Sequence, residues 1–307
     1  MTALADLFAS VQQALFEWAV PALFWLGLGN YLEDAYAASL WWMAGVPQIA
    51  VLLLVIGPLQ RWRPAEPVTD RATIRTDLIY TLIHRLGVFR LVLFFTVAPL
   101  FDSLFGALGT AGFGTWHLDQ LWPGVTDEAW LSFIIYLLAF DFAAYWLHRW
   151  QHRLGLWWRL HSLHHAQRQM TMWSDNRNHF LDDAVVDVLL VVLAQVIGVA
   201  PEQFVALVML TQLSESLQHA NVRLSFGRVG ERLWVSPRFH RVHHSLHTRD
   251  HNFGVLLPWW DQLFGTANFQ ESLEPTGVLD QIEAGRDYGQ GLWAQQWLGL
   301  KRLCGRA

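Results

Sequence analysis

The chain has one cysteine, Cys304, in 307 residues. A disulfide framework within it is impossible, and a thiolate metal site is excluded, because such sites draw on several sulfur ligands. Lysine is as scarce: Lys301 stands alone, so arginine carries nearly all the positive charge. The first sixty residues hold neither Lys nor Arg, which argues against a cleaved secretory signal with its basic start. Charged residues make up 15% of the chain, against about a quarter in an ordinary soluble domain. The net charge of −5 offers no basic face, so no nucleic-acid partner is expected. Also missing are internal repeats, low-complexity stretches and flexible linkers. The chain therefore reads as one integrated domain.

What is present is apolar: 53% hydrophobic residues and 18 Trp. This composition points to an all-α, polytopic membrane protein, since a spanning helix needs about 20 mostly apolar residues. The expected crossings are Val11 to Gly29, weakened by Glu17 and Pro21, then Trp41 to Leu59, Leu78 to Leu104 and Ala129 to Leu147. The third is interrupted by His84, Arg85 and Arg90, which either snorkel or face a polar interior. After these about four transmembrane helices, Ala184 to Val199 and Phe204 to Leu213, broken at Pro201, read as a re-entrant or spanning helical hairpin.

Basic residues set the orientation. Arg61, Arg63, Arg71 and Arg75 lie between the second and third crossings, and a belt from Arg149 to Arg249 follows the fourth. The loop from Phe105 to Glu128 has neither Lys nor Arg. The positive-inside rule puts both arginine-rich regions in the cytoplasm. The expected layout is a transmembrane region (1–128), a cytoplasmic histidine-rich helical cap on its membrane base (129–270) and a cytoplasmic tail (271–307). Arginine-rich, lysine-poor usage fits a GC-rich bacterium and hence an inner membrane.

Against this background stand three histidine boxes: His148-Arg-Trp-Gln-His152, His161-Ser-Leu-His164-His165 and His240-Arg-Val-His243-His244. Steps of three and four residues gather side chains on one helical face. Adjacent histidines, as in His164/His165 and His243/His244, can point toward two different ions. These eight imidazoles exceed the roughly four ligands of a structural zinc. They point to two metals with positions left for oxygen. Imidazole suits Zn, Cu, Fe and Ni, so ligand type alone does not choose. An iron pair beside a membrane can activate O2 against an unreactive C–H bond, which side chains cannot do unaided.

In order and spacing the boxes resemble the fatty acid hydroxylase/sterol desaturase superfamily of membrane di-iron oxygenases, whose pattern is HxxxH or HxxxxH, then HxxHH twice. Flanking residues carry the likeness further: Asp141-Phe-Ala-Ala-Tyr145-Trp-Leu-His148, Gln218-His219-Ala-Asn221, Pro237-Arg-Phe-His240, Asn252-Phe-Gly254 and Trp260-Asp-Gln-Leu-Phe-Gly-Thr266. It runs from about Ala129 to Thr266. The resemblance implies two iron ions held by His148, His152, His161, His164, His165, His240, His243 and His244, with O2 as cosubstrate. It also implies a membrane lipid substrate and a separate electron donor: a reductase, ferredoxin or cytochrome. Some members carry a further histidine pair before the last box. Here His219 matches one of the pair and is expected to ligate, whereas Glu215 departs from it. Glu215 is a candidate ligand, directly, as carboxylates are in other di-iron proteins, or through water.

Around the boxes, Asp141 lies two helical turns before His148 and is a candidate acceptor for a ligand's second ring N–H. Asp182 and Asn221 are similar candidates, and His179 is assigned to support or gating. His84, His117, His247 and His251 read as structural or loop residues, Tyr145 as packing, and Trp157, Trp158, Trp173, Trp234, Trp259 and Trp260 as an interfacial belt. The expected activity is hydroxylation of a membrane lipid, with desaturation by the same centre as the nearest alternative. Metal storage or transport is a second class, and a zinc hydrolase a third. The last would use an HExxH motif, which is absent.

Overall fold

The computed structural model describes residues 2–248 and 250–306; Arg249 of the expected basic belt lies outside them. Its regular elements are all helical, and one isolated bridge, Ser245 to Thr276, is the sole strand-like pairing among the described residues. Helix α1 (Thr2–Trp25) is followed by α2 (Leu32–Val51), which runs through a π-turn at Leu52–Ile56 into α3 (Gly57–Trp62). Next come α4 (Arg71–Arg85), α5 (Val88–Thr96) and α6 (Ala98–Thr110), then the long α7 (Ala129–Arg153). Helices α8 (Gly155–His165), α9 (Phe180–Ile197) and α10 (Pro201–His219) build the box-bearing half. Shorter pieces close it: α11 (Gly227–Gly230), α12 (Pro237–His243), α13 (Trp259–Phe264), α14 (Leu279–Glu283) and α15 (Leu292–Leu303).

Three helical stretches are long and apolar enough to cross a membrane: Asp6–Trp25, Gly29–Trp62 and Ala129–Arg153. They contain the second and fourth expected crossings and cover the first, Val11 to Gly29, as far as Trp25. The third expected crossing is corrected. Helix α4 ends at Arg85, and Gly87 takes φ 76°, a left-handed conformation that a side chain disfavours. The chain restarts as two shorter helices, α5 and α6. Hydropathy registers none of this, because the break is conformational. The polar residues that interrupt the segment face inward: Arg85 is buried and pairs with Asp175 at 2.7 Å, and it also donates to Gln48, Ser216 and the Gln212 carbonyl. Gly45 allows α2 to meet α4 here, since a Cβ at that position would lie 1.6 Å from the Arg85 carbonyl oxygen.

The expected hairpin forms as α9 and α10. Pro201 opens α10 at a position where its missing N–H costs nothing. Tyr136 of α7 clamps the turn, its hydroxyl lying 3.2 and 3.1 Å from the Ile197 and Gly198 carbonyls. Tyr136, Phe140, Ile197 and Leu207 form an apolar core there. A second core, including Leu52, Ile56, Met172 and Trp173, fixes the α8–α9 connection against the π-turn. Both cores lock α7, α8 and α10 relative to one another, and these helices carry six of the nine histidines expected to bind metal.

Candidate metal centre

The three boxes sit on α7, α8 and α12, and all converge. Ser236 caps α12, accepting from the Phe239 N–H at 3.1 Å, with Pro237 at its first turn. That cap starts the short helix so that His240 and His243 share one face, with His244 just past its end. His219 ends α10 and meets them.

Two groups of four result. His148, His152, His165 and His243 form one, and His164, His219, His240 and His244 the other, with the ligand atoms of each group within 4.8 Å of one another. Each adjacent pair splits between the groups, His164 from His165 and His243 from His244. In the second group the Nε2 atoms of His164 and His240 both lie 3.1 Å from that of His219, and His244 Nε2 lies 3.2 Å from His240 Nε2. Nitrogens about 2.1 Å from a shared ion stand about 3.0–3.4 Å apart, so the spacing suits a metal. In the first group the Nε2 atoms of His152, His165 and His243 are buried with no hydrogen-bond partner. Each such atom costs about 1–3 kcal/mol if left so. A cation shared among them removes that cost, so these residues fit a pair of metal ions.

Burial, with neighbouring imidazoles adding to it, holds His164, His165, His240 and His244 well below the usual imidazole range. Burial pushes His243 down to about 3. These rings are neutral at neutral pH, the form that binds metal.

His161 falls outside both groups. Its Nδ1 donates to Asp182 at 2.9 Å, and its Nε2 is buried and unpartnered among His148, His152, His164 and His165. Asp182 also accepts from Gln151 at 2.7 Å and Trp157 at 2.6 Å. Such a carboxylate fixes the tautomer and aims the far nitrogen inward. Backbone carbonyls do the same for other rings: Phe253 for His148 at 2.9 Å, His251 for His243 at 2.7 Å and Glu215 for His219 at 2.8 Å.

Other expected contacts differ. The Glu215 carboxylate joins neither four-nitrogen group; it lines a cavity beside them. Asp141 holds no histidine N–H. It accepts from the Leu256 and Leu257 N–H groups at 2.8 and 3.2 Å and from Trp260 at 2.9 Å. Asn221 ties down the segment before α4, accepting from the Ala65 and Glu66 N–H groups at 3.1 and 2.9 Å. His179 donates from Nε2 to the Gln296 carbonyl at 2.9 Å and accepts from the Leu181 N–H at 3.1 Å, so it pins α15 to α9. Tyr145 is buried against Thr266 and Arg149, each 3.0 Å from its hydroxyl. Within the expected tryptophan belt, Trp157, Trp234 and Trp260 donate to Asp182, Ser214 and Asp141, so they brace the cap.

Residues 133–266 match the fatty acid hydroxylase family model. Over 265 residues the chain is 27% identical to the ornithine lipid hydroxylase OlsE of Rhizobium tropici, covering 85% of this chain and 76% of that protein. It is 23% identical over 190 residues to the alkylglycerol monooxygenase of Homo sapiens (59% and 42% covered). It is 30% identical over 151 residues to the Delta(7)-sterol-C5(6)-desaturase of Nicotiana tabacum (46% and 53% covered). Residues 133–266 thus carry a fatty acid hydroxylase domain, and these likenesses support the fatty acid hydroxylase/sterol desaturase superfamily. The chain is accordingly an oxidoreductase. No solved structure matches it.

Sequence reasoning overlooked Asp261. It accepts from the Phe253 and Gly254 N–H groups at 2.8 and 2.7 Å and from the Thr266 hydroxyl at 2.6 Å. It thereby shapes the loop whose Phe253 carbonyl aims His148. Its one signal was its place inside the Trp260 to Thr266 motif. The Arg85–Asp175 pair was also overlooked, although Arg85 had been noted as an interruption in an apolar run.

Proposed function

We propose that this protein is a membrane-bound, O2-dependent lipid hydroxylase with two irons held by nine histidines. The division of eight of them into two four-nitrogen groups carries the reading. The bound iron pair would supply the oxidising power to insert one oxygen atom of O2 into a C–H bond, the other leaving as water, at the cost of two electrons and two protons. The protein's own contribution is geometric. His148, His219 and His243 are aimed by backbone carbonyls and His161 by Asp182. The cavity beside them holds the substrate, since positioning decides which C–H bond reacts. His161, aimed inward by Asp182, would help hold the metal pair, and Glu215 lines the cavity.

The chain carries no flavin, haem or iron–sulfur motif, so electrons come from a separate reductase, ferredoxin or cytochrome. The arginine pattern supports a cytoplasmic centre at an inner membrane, with the box-bearing helices as a cap on a membrane base. Hydroxylation is preferred over desaturation because the relative that this chain covers along 76% of its length is a lipid hydroxylase. Lipid mass spectrometry of cells expressing the protein or its His164→Ala variant tests this. A species one oxygen heavier, lost in the variant, is expected. Loss of two hydrogens instead would mark a desaturase, and no lipid change would overturn the reading.

A further inference from the structure

The cavity beside the histidines measures about 250 Å3. One end is walled by His148, His164, His219 and His240, the other by Phe140, Leu190, Phe204 and Leu207. Between them the wall is acidic. Asp175, Asp183, Asp187 and Glu215 all line it, and Arg90, stacked over Trp41 at 3.8 Å, is its one arginine or lysine among the described residues. An apolar chain needs none of these acids.

The acids are not all used up by the fold. Asp175 spends Oδ2 on Arg85 and Ser216, each at 2.7 Å, and leaves Oδ1 buried without a partner. Asp183 Oδ2 pairs with His84 Nε2 at 3.2 Å, and neither atom has a hydrogen-bond partner. Asp187 and Glu215 meet no side-chain donor among the described residues. Two neutral residues on the same wall are also open. Gln218 is 1% exposed and Asn176 8%, and Gln218 Oε1 and Asn176 Nδ2 are unpartnered. Buried polar atoms are rarely left so. Acceptors outnumber donors: two carboxylate oxygens and one amide oxygen against one amide donor and the His84 ring nitrogen. What satisfies the set is a group with several N–H donors and a positive charge.

These acceptors lie close to the metal end. Ser216, which holds Asp175, stands one helical turn before His219. Asp183 directly follows Asp182, the acceptor for His161. We propose that the cavity takes an amphiphile bearing a protonated amine, with the ammonium seated among Asp175, Asp183 and Gln218 and the hydrocarbon tail against Phe140, Phe204 and Leu207. Asp187, on the same wall, adds to the negative field around it. This rests on the lipid-oxidising reading above and names the substrate class.

Binding tests it without turnover. The full chain in nanodiscs is titrated with three amphiphiles of one chain length: a free-amine headgroup, its N-acetylated counterpart and a neutral glycerol headgroup. The free amine should bind about tenfold or more tightly than either neutral lipid, the worth of a charge-assisted hydrogen bond or more. Asp183→Asn should cut that preference to within about threefold, and Asp183→Glu should restore it. Equal affinity for the three lipids in the unaltered protein overturns the proposal whatever the variants do. So does an undiminished preference in a folded Asp183→Asn protein. Iron content and oxygen uptake are measured alongside. A clear amine preference in protein that neither holds iron nor consumes oxygen would sink the oxygenase reading alone. Oxygen uptake with neutral lipids and no amine preference would sink the amine site alone.

Discussion

The two four-histidine groups use one residue type and are held in different ways. In the first, the Nδ1 atoms of His148 and His243 donate to carbonyls of the 251–253 loop. In the second, only His219 has such an anchor, the Glu215 carbonyl of its own helix, while the Nδ1 atoms of His164, His240 and His244 are buried and unpartnered. The first group is thus oriented from outside by a loop that Asp261 shapes. The second is oriented by the packing of α8, α10 and α12 against one another. Ring orientation governs how well a nitrogen meets a metal, so the two sites should fail under different insults.

Removing a ligand should have the largest effect. His243→Ala should empty the first site and His244→Ala the second, each lowering bound iron from about two per chain to about one and product formation by at least about a hundredfold. Elemental analysis with lipid mass spectrometry reads both. Two adjacent residues that empty the same site would break the division.

Next comes Asp182→Ala, which frees His161 between the groups. Activity should fall about 10–100-fold while iron stays near two per chain, as expected when an outer partner rather than a ligand is lost. Unchanged turnover would show that His161 needs no fixing. Asp261→Ala strikes the loop. It should weaken metal at the first site by about tenfold and leave the second untouched, seen by competition with a chelator. Equal weakening at both would count against separate anchoring. The smallest effect belongs to His179→Ala. Stability should drop by about 1–3 kcal/mol from the loss of the Gln296 contact, read by thermal melting, with iron near two per chain. Loss of iron would return His179 to the centre.

Local patterns were legible in the sequence, and long-range ones were not. The boxes could be read because a three- or four-residue step fixes which side chains share a helical face. Residue order also foretold the hairpin at Pro201. The sorting of the histidines into groups depends on how α7, α8, α10 and α12 cross, which no spacing encodes. Asp141 and Asn221 were drawn toward the histidines by proximity in sequence. Their partners are backbone N–H groups 115 and 156 positions away. The broken third crossing turned on a single left-handed glycine, Gly87, inside an apolar run.

The most direct measurement is anomalous X-ray scattering at the iron edge from crystals of the iron-loaded protein. Two peaks per chain are expected, one amid His148, His152, His165 and His243 and the other amid His164, His219, His240 and His244. A single peak, or peaks away from both quartets, would contradict the account.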